Sequence, residues 1–274
     1  MSITTTDIKR LRERTGAGVL RCKEALDATA GDFDTALALL RSAAAKDAAK
    51  RADRIPTEGM IAAAPGVLVE LRCETDFVAK GATFRAVGQR IADLAATLPE
   101  TDVAGLLGAP WDDGTLADAV AGLAWASGEK VELGRVVRLP GRTTAYLHTT
   151  AVGLPPRIGA LVAFDGGPGA DEVAHGIALQ VVASVPEHLH RDDIPADVLA
   201  AVRTEARELA HAQGKTDAIA ARIVAGRVEQ LVHRTVLLEQ ASVVDPGKTV
   251  NDLLLGTGVH LTGFVRLEVG SGRR

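Results

Sequence analysis

The sequence predicts an α+β fold in which a three-helix N-terminal domain precedes a core of two antiparallel-sheet α+β subdomains with a protruding antiparallel helical hairpin. Three observations lead to this prediction: glycine-interrupted helical periodicity near the N-terminus, strand patterns in two successive groups, and a pair of narrow helical stripes. We assign the N-terminal domain and its tether to residues 1–54, the first core subdomain to 55–140 and the second to 141–274. The hairpin is expected as an insertion at about 194–235.

The composition favours cores built from small aliphatic side chains. Of the 274 residues, 47% are hydrophobic but 3% are aromatic, so Ala, Val, Leu and Ile must supply the packing. The formal charge of −4 gives no overall attraction to nucleic acid or to an anionic membrane surface, and we expect neither as a direct partner. The N-terminus is polar, and no apolar run approaches the roughly 20 residues of a membrane span. Cys22 and Cys73 have neither zinc-type spacing nor a disulfide framework, so a reducing cytoplasm is the expected location.

The first 54 residues predict three short helices that share one core. Glycine-containing breaks separate the helices, and each is too short to be stable alone. At least one of Val19 and Leu20 is expected to join this core. The other core positions recur at helical spacing: Ile8, Leu11, Cys22, Ala25, Leu26, Phe33, Ala36, Leu37 and Leu40. Residues 41–54 are rich in alanine and charge and suit a helical tail or tether.

Strand and helix patterns alternate through most of the remaining chain. Partly alternating apolar runs bounded by turn residues indicate strands, and apolar residues spaced by three or four indicate helices. Residues 99–115 are rich in Gly, Pro and Asp and are expected to form a loop. The expected strands are 59–64, 67–73, 131–139, 143–150, 157–165 and 260–269, and the expected helices are 84–98, about 116–126 and about 170–185.

Two narrow apolar stripes predict the helical hairpin. Pro195 suits a first helical position, while Gly214 and Thr216 end one helix and cap the next. The stripes contain Val198, Val202, Ala206 and Leu209 in the first helix, and Ile219, Ile223, Val228, Leu231 and Val232 in the second. Two helices joined by so short a polar turn form an antiparallel pair, which we expect to project like a short coiled coil.

The segment from Cys73 to Lys80 places an aromatic residue between a predicted strand and a predicted helix. Thr75 and Asp76 carry short oxygen-bearing side chains that can cap a helix start, and Phe77 follows them directly. Because the chain has few aromatic residues, an aromatic at this corner either fills its own core or is offered to a partner. The residue pattern by itself favours core packing.

Two segments imitate nucleotide-handling motifs without completing them. Gly247-Lys248-Thr249 resembles the end of a phosphate-binding loop, but the glycine required five positions earlier is Ser242. We therefore expect a turn in which Thr249 caps a helix. His190-Arg191-Asp192 matches part of a kinase catalytic loop, yet Asp197 stands where that loop needs Asn.

A metal site or an enzymatic centre has little support in the sequence. A solvated loop is favoured over a metal cluster for four neighbouring residues, His188, His190, Asp192 and Asp193. The motifs G-x-S-x-G, H-E-x-x-H and C-x-x-C do not occur. We expect no catalytic residue, no metal site and no cofactor.

Two sequence signatures resemble one protein family. Leu11–Gly18, followed by Cys22-Lys23, is similar to the N-terminal signature of bacterial elongation factor Ts, and Thr75-Asp76-Phe77-Val78 is similar to its second signature. Further similarities follow in the expected order over nearly the full length: Gly128-Glu129-Lys130, Tyr146-Leu147-His148, Arg157-Ile158-Gly159 and Gly263–Gly270. Two distinctive motifs in register make this resemblance specific.

The resemblance implies a guanine-nucleotide exchange factor, without covalent chemistry, that binds elongation factor Tu·GDP and promotes GDP release during translation elongation. In that family a ubiquitin-associated-like N-terminal domain contacts the GTPase domain of the partner, and the second half of the core reaches the partner's distal domain. An Asp-Phe pair enters near the phosphate and Mg²⁺ side of the nucleotide and disturbs that site, so that GDP leaves.

The resemblance also implies three sets of partner-binding residues. A wedge at the Mg²⁺ and phosphate side comprises Thr75, Asp76, Phe77 and Val78. The N-terminal domain contributes Arg12, Val19, Leu20 and Lys23, and the second core subdomain contributes His148. Elongation factor Tu is then expected to bind in its GDP-bound and nucleotide-free states, as a 1:1 or a 2:2 complex. Because Arg273-Arg274 follow the last predicted strand, the extra C-terminal helical module of some relatives is expected to be absent.

Two other functions remain as alternatives. The first is a non-catalytic adaptor whose three-helix domain binds ribosomal or ubiquitin-like surfaces; co-purification with a ribosomal protein, without faster nucleotide release, would favour it. The second is a nucleotide hydrolase that uses Lys248, which would require the isolated protein to bind nucleotide.

Overall fold

The N-terminal helices form because each has a defined start and one apolar face. The computed structural model describes residues 3–99 and 102–271, so Arg273 and Arg274 lie outside the described residues. The helices are α1 (Thr5–Thr15), α2 (Val19–Ala28) and α3 (Phe33–Lys50). Side-chain caps at Thr4 and Asp32 begin α1 and α3. The predicted shared core is confirmed, and its buried members are Leu11, Ala17, Cys22, Ala25, Leu26, Ala36, Leu37 and Leu40.

The prediction that Val19 or Leu20 joins this core is wrong. Val19 is 54% exposed and Leu20 is 68% exposed. The buried residues Cys22, Ala25 and Leu26 define the inward face of α2. Successive residues of a helix are rotated by about 100°, so Leu20 points away from that face, and Val19 lies at its edge in the first turn. Both side chains are therefore on the surface.

The next part of the chain builds a three-stranded antiparallel sheet with helices packed on it. In chain order the elements are β1 (Glu58–Ala64), β2 (Val67–Cys73), α4 (Asp76–Lys80), α5 (Ala82–Thr97), α6 (Val103–Leu107), β3 (Pro110–Trp111), β4 (Gly114–Thr115), α7 (Leu116–Ser127) and β5 (Glu132–Arg138). The sheet order is β1-β2-β5, and both neighbouring pairs are antiparallel. The three strands match the predicted ones to within one residue at each end.

The prediction of a loop over residues 99–115 is wrong for the described part of that segment, since residues 100 and 101 lie outside it. Asp102 accepts a hydrogen bond from the Gly105 N–H and so caps α6. Leu106, Ala109 and Trp111 are buried in the core of the sheet, so apolar side chains hold this polar-looking segment in place.

The three-helix core packs against α7. Trp125 of α7 packs against that core, with the Arg21 guanidinium 5.5 Å from its ring centre. Gly16 ends α1 with φ 70°, and a Cβ there would lie 2.7 Å from the Gly122 carbonyl oxygen. Only glycine fits so close an approach of two backbones.

The last part of the chain contains a second sheet and the helical pair. Its elements are β6 (Thr143–His148), β7 (Ile158–Asp165), α8 (Ala170–Ser184), α9 (Ala196–Ala212), α10 (Asp217–Thr235), α11 (Val250–Leu254) and β8 (His260–Glu268), with sheet order β6-β7-β8. α9 and α10 are connected by a turn at Gly214 and pack along each other. Thr216 precedes α10 as its N-cap residue. Mixed helices and antiparallel strands confirm the α+β class.

The contacts divide the chain into two compact units. The first contains the residues through Arg138, the segment Leu147–Gly159 and the residues from Leu267 onward. The second contains Leu139–Tyr146 and Ala160–Arg266. The boundaries near residues 54 and 140 remain predictions. Within the described chain, every helix is too short or too polar to cross a membrane.

Candidate partner-binding site

The corner between β2 and α5 contains a short helix that the sequence pattern did not reveal. Thr75 is the N-cap of α4, and its Oγ1 accepts a hydrogen bond from the Val78 N–H at 3.4 Å. Val78 packs against the core of the first sheet, and Ala79 is buried in it. The inward side of α4 is thus occupied by residues after Phe77, which fixes the direction in which Phe77 points.

Phe77 projects into solvent. Its side chain is 83% exposed, so the interpretation of Phe77 as a core residue is wrong. The physical reason is that the inward positions of a five-residue helix are few, and Val78 and Ala79 fill them. An exposed aromatic ring on a fixed backbone offers apolar area with only two side-chain torsions to restrict on binding.

Glu129 holds this corner from a segment distant in sequence. One oxygen of its carboxylate accepts the N–H groups of Glu74 and Thr75, both at 3.0 Å. The other oxygen accepts the Thr75 hydroxyl at 2.5 Å. The Thr75 hydroxyl therefore accepts from Val78 and donates to Glu129, and such consecutive hydrogen bonds strengthen one another. In the sequence Glu129 stands out only as part of the Gly-Glu-Lys similarity, which does not indicate this role.

The Glu74 side chain in turn accepts a hydrogen bond from the segment that contains Glu129. Its carboxylate accepts the Lys130 main-chain N–H at 2.5 Å and the Arg54 guanidinium at 3.2 Å. Burial alone would raise the pKa of Glu74, but the Lys130 N–H and the Arg54 guanidinium hold that pKa below its usual range. Glu74 is thus ionised at neutral pH.

The other polar groups of the corner are satisfied locally. Asp76 pairs with Lys80 one turn later at 2.6 Å, and this hydrogen bond lowers the pKa of the Asp76 carboxyl. The buried Cys73 thiol donates to the Thr75 carbonyl oxygen at 3.2 Å. Burial, aided by the negative charge of Glu129, raises the pKa of Cys73 to about 12, so the thiol is protonated and unreactive.

The N-terminal candidates lie on helices that pack into a different core. Val19, Leu20 and Lys23 are exposed on one face of α2, and Arg12 is exposed on α1. α2 packs into the three-helix core, whereas α4 packs on the first sheet. His148 stands on a third element, at the end of β6, where it is partly buried and its carbonyl oxygen accepts the Arg157 N–H at 3.1 Å. The corner that carries Phe77 and the exposed face of α2 are therefore separate surface features.

The segment around Lys248 is a closed turn. Thr249 caps α11 and exchanges hydrogen bonds with Asp252, which confirms the predicted helix cap. Lys248 pairs with Asp245 at 3.0 Å, and the Ser242 hydroxyl accepts two nearby main-chain N–H groups. Those N–H groups are already bonded within the protein and are not available to wrap a phosphate.

Arg191, the middle residue of the kinase-like triplet, binds Glu229 and Glu239 through its guanidinium. Arg191 therefore links α10, which contains Glu229, to the segment after α10, which contains Glu239. Across residues 3–99 and 102–271, no group of three or more His, Cys, Asp or Glu side chains is arranged to hold a metal ion.

The family model and the relatives that match this chain all belong to one family. Residues 74–271 match the family model described as Elongation factor TS. The chain is 48% identical over 269 residues to the Elongation factor Ts of Mycobacterium tuberculosis, covering 98% of both chains. It is 48% identical over 271 residues to that of Mycobacterium avium, again covering 98% of both. For the Elongation factor Ts of Saccharopolyspora erythraea the identity is 45% over 267 residues, covering 97% of this chain and 98% of the relative.

Proposed function

Since the chain belongs to the elongation factor Ts family, we propose that it is the guanine-nucleotide exchange factor of elongation factor Tu. It binds elongation factor Tu·GDP, promotes GDP release and forms a nucleotide-free complex, as a 1:1 or a 2:2 assembly. Its three N-terminal helices act as a ubiquitin-associated-like domain, and the core is two α+β subdomains from which α9 and α10 project. Translation elongation takes place in the cytoplasm, which is the location that the cysteine usage favours.

The exposed Phe77 is the observation that carries this proposal. An exchange factor must bind the nucleotide-free GTPase more tightly than the GDP-bound form, and linkage requires that it weaken GDP binding by the same factor. An aromatic wedge achieves this when its pocket exists only after the GDP site has been disturbed. Phe77 is 83% exposed on a corner held by Glu129, so its backbone is ordered before the partner binds and only two side-chain torsions remain to be restricted.

The α2 face supplies the second contact. Val19 and Leu20 are large apolar side chains that their own core does not use, and Lys23 is exposed beside them. An apolar pair with a neighbouring charge is typical of the edge of a transient interface. Arg12 and His148 are the further contacts that we propose. None of these roles requires a catalytic side chain, since GDP release breaks no covalent bond.

The test is release of a fluorescent GDP analogue from elongation factor Tu. Phe77→Ala is expected to lower the stimulated rate about 100-fold, because truncating a central aromatic of an interface costs several kcal/mol. Its melting temperature should stay within about 2 °C of wild type, since the ring has almost no contacts to lose.

The matched control is Leu255→Ala, which removes an apolar side chain that is 70% exposed elsewhere and should leave the rate unchanged. If Phe77→Ala stimulated release as well as wild type, Phe77 would not be the wedge. If wild type itself gave no stimulation, the proposed function would be wrong.

A further inference from the structure

Three segments that are far apart in sequence meet at the corner that carries Phe77. We call this cluster the latch; it comprises Arg54, Glu74, Thr75, Glu129 and Lys130. The Lys130 ammonium donates to the carbonyl oxygens of residues 52 and 54, at 2.7 Å and 3.0 Å. The Arg54 guanidinium donates to both carboxylate oxygens of Glu74, each at 3.2 Å. The end of the tether, the corner and the turn after α7 are thus joined by side chains.

The latch is reciprocal. The Glu129 carboxylate accepts main-chain N–H groups at the corner, and the Glu74 carboxylate accepts the main-chain N–H of Lys130. Hydrogen bonds to ionised acceptors are about twice as strong as those between neutral groups. The side chains of Glu74 and Lys130 are 21% and 24% exposed, so solvent and salt screen them less than ordinary surface charges.

The latch also shortens the free connection between the two proposed contact surfaces. Seven residues separate the end of α3 at Lys50 from the start of β1 at Glu58. Lys130 and Glu74 fasten this connection near its middle, at residues 52 and 54. The three-helix core is therefore fixed both by its packing on Trp125 and by the tether.

We propose that the latch is a positioning device for nucleotide exchange: it holds Phe77 at a fixed place relative to the exposed face of α2. Binding of the α2 face then presents Phe77 to the GTPase in the geometry needed to disturb the nucleotide site. The latch residues act through the backbone, and they need no contact with GDP. This inference rests on the proposed function and adds Glu129 and Lys130 as positioning residues.

The readout is the split between the maximal rate of GDP release and the factor concentration that gives half of it. Glu129→Gln removes the charge that two main-chain N–H groups and the Thr75 hydroxyl share. We expect the maximal rate to fall about tenfold, because misplacing by about 1 Å a group that must fit closely can cost up to about 100-fold in rate. The half-maximal concentration should change less than twofold. Glu208→Gln, on the exposed surface of α9, is the matched control and should behave as wild type.

The tether side is tested at Lys130. Lys130→Met keeps an unbranched side chain of nearly the same length but loses both carbonyl contacts, and it should lower the maximal rate about fivefold. Lys130→Arg keeps cationic donors and should recover most of the lost rate.

Amide hydrogen exchange provides a readout that does not depend on the partner. In Glu129→Gln the amides of Glu74 and Thr75 should exchange at least tenfold faster, while those of the three-helix core stay protected. The proposal is overturned if wild type stimulates release and Phe77→Ala does not, yet both latch variants match wild type. It is also overturned if their losses appear only as a higher half-maximal concentration. A wild type that gives no stimulation would overturn the proposed function, and the latch's role in exchange with it.

Discussion

α4 and α11 are two five-residue helices with the same kind of start and opposite outcomes. Each begins at a threonine N-cap, Thr75 or Thr249. In α11 the third helical residue is Asp252, which returns a hydrogen bond to the cap and closes a capping box. In α4 the third helical residue is Val78, which packs into the core, so the carboxylate that holds the cap is the distant Glu129. One helix is stabilised by itself, and the other by a separate segment of the chain.

The second helical position shows what this difference permits. In α11 it is Asn251, an exposed polar residue of the usual kind, and in α4 it is Phe77. Phe77 is 83% exposed, so its ring contributes little to folding. A helix start that is braced from outside can keep such a residue in place for a partner. The second position of α4 is therefore available for binding, whereas that of α11 carries an ordinary surface residue.

The largest effect should come from exchanging the residues at this second position. Phe77→Asn gives α4 the residue of α11 and should lower stimulated GDP release about 100-fold with no loss of stability. Asn251→Phe gives α11 an exposed aromatic ring and should leave release at the wild-type rate. Stopped-flow release of a fluorescent GDP analogue measures both. Stimulation by Phe77→Asn at the wild-type rate would show that the aromatic ring is not needed for exchange.

A smaller effect should come from removing each cap. Thr75→Ala and Thr249→Ala should each lower the free energy of unfolding by about 1 kcal/mol, the usual cost of losing a threonine N-cap. Thr75→Ala should in addition slow nucleotide exchange about tenfold, because it also loses the bond to Glu129. Urea unfolding and the release assay measure the two quantities. Equal exchange rates for the two variants would show that the external brace has no bearing on function.

The smallest effect is a dependence on pH. Hydrogen bonds from the Thr249 N–H and hydroxyl lower the pKa of Asp252. Burial would raise the pKa of Glu74, but the hydrogen bonds from the Lys130 N–H and the Arg54 guanidinium outweigh this effect and lower it. Both pKa values thus lie below unfolded-state values of about 4, so both carboxylates stabilise the fold above about pH 4. That stabilisation is lost as the pH falls through each folded-state pKa.

We therefore expect Asp252→Asn and Glu74→Gln to be less stable than wild type at about pH 7 and to approach it at a pH below the folded-state pKa of each carboxyl. Urea unfolding at the two pH values measures this. A deficit of the same size at both values would mean that the charge of the carboxylate is not what matters.

Much of the fold could be predicted because its signals are local. β2 was predicted as residues 67–73 and is found there, since its apolar run is bounded by turn residues on both sides. The turn at Gly214 and the cap at Thr249 depend on single residues with strong backbone preferences. α6 was missed because its five residues are fewer than a helical period needs to be recognised.

The candidate site was less predictable because its support is not local. The direction of Phe77 depends on which neighbours fill the inward side of α4, and a strand-to-helix corner does not reveal that. The contact between Glu129 and Thr75 spans 54 residues, and no periodicity signals it. Val19 was misassigned because a position at the edge of a helical face is buried only when the core extends to that turn.

The position of Trp125 against the three-helix core has a practical consequence. The chain has two tryptophans, and both Trp111 and Trp125 belong to the first compact unit. Trp125 touches the three-helix core, so separation of that core from α7 would bring the indole into water and shift its emission to the red. The unlabelled protein thus carries an optical reporter of its N-terminal helices, whereas the unit that contains α9 and α10 is dark in tryptophan fluorescence.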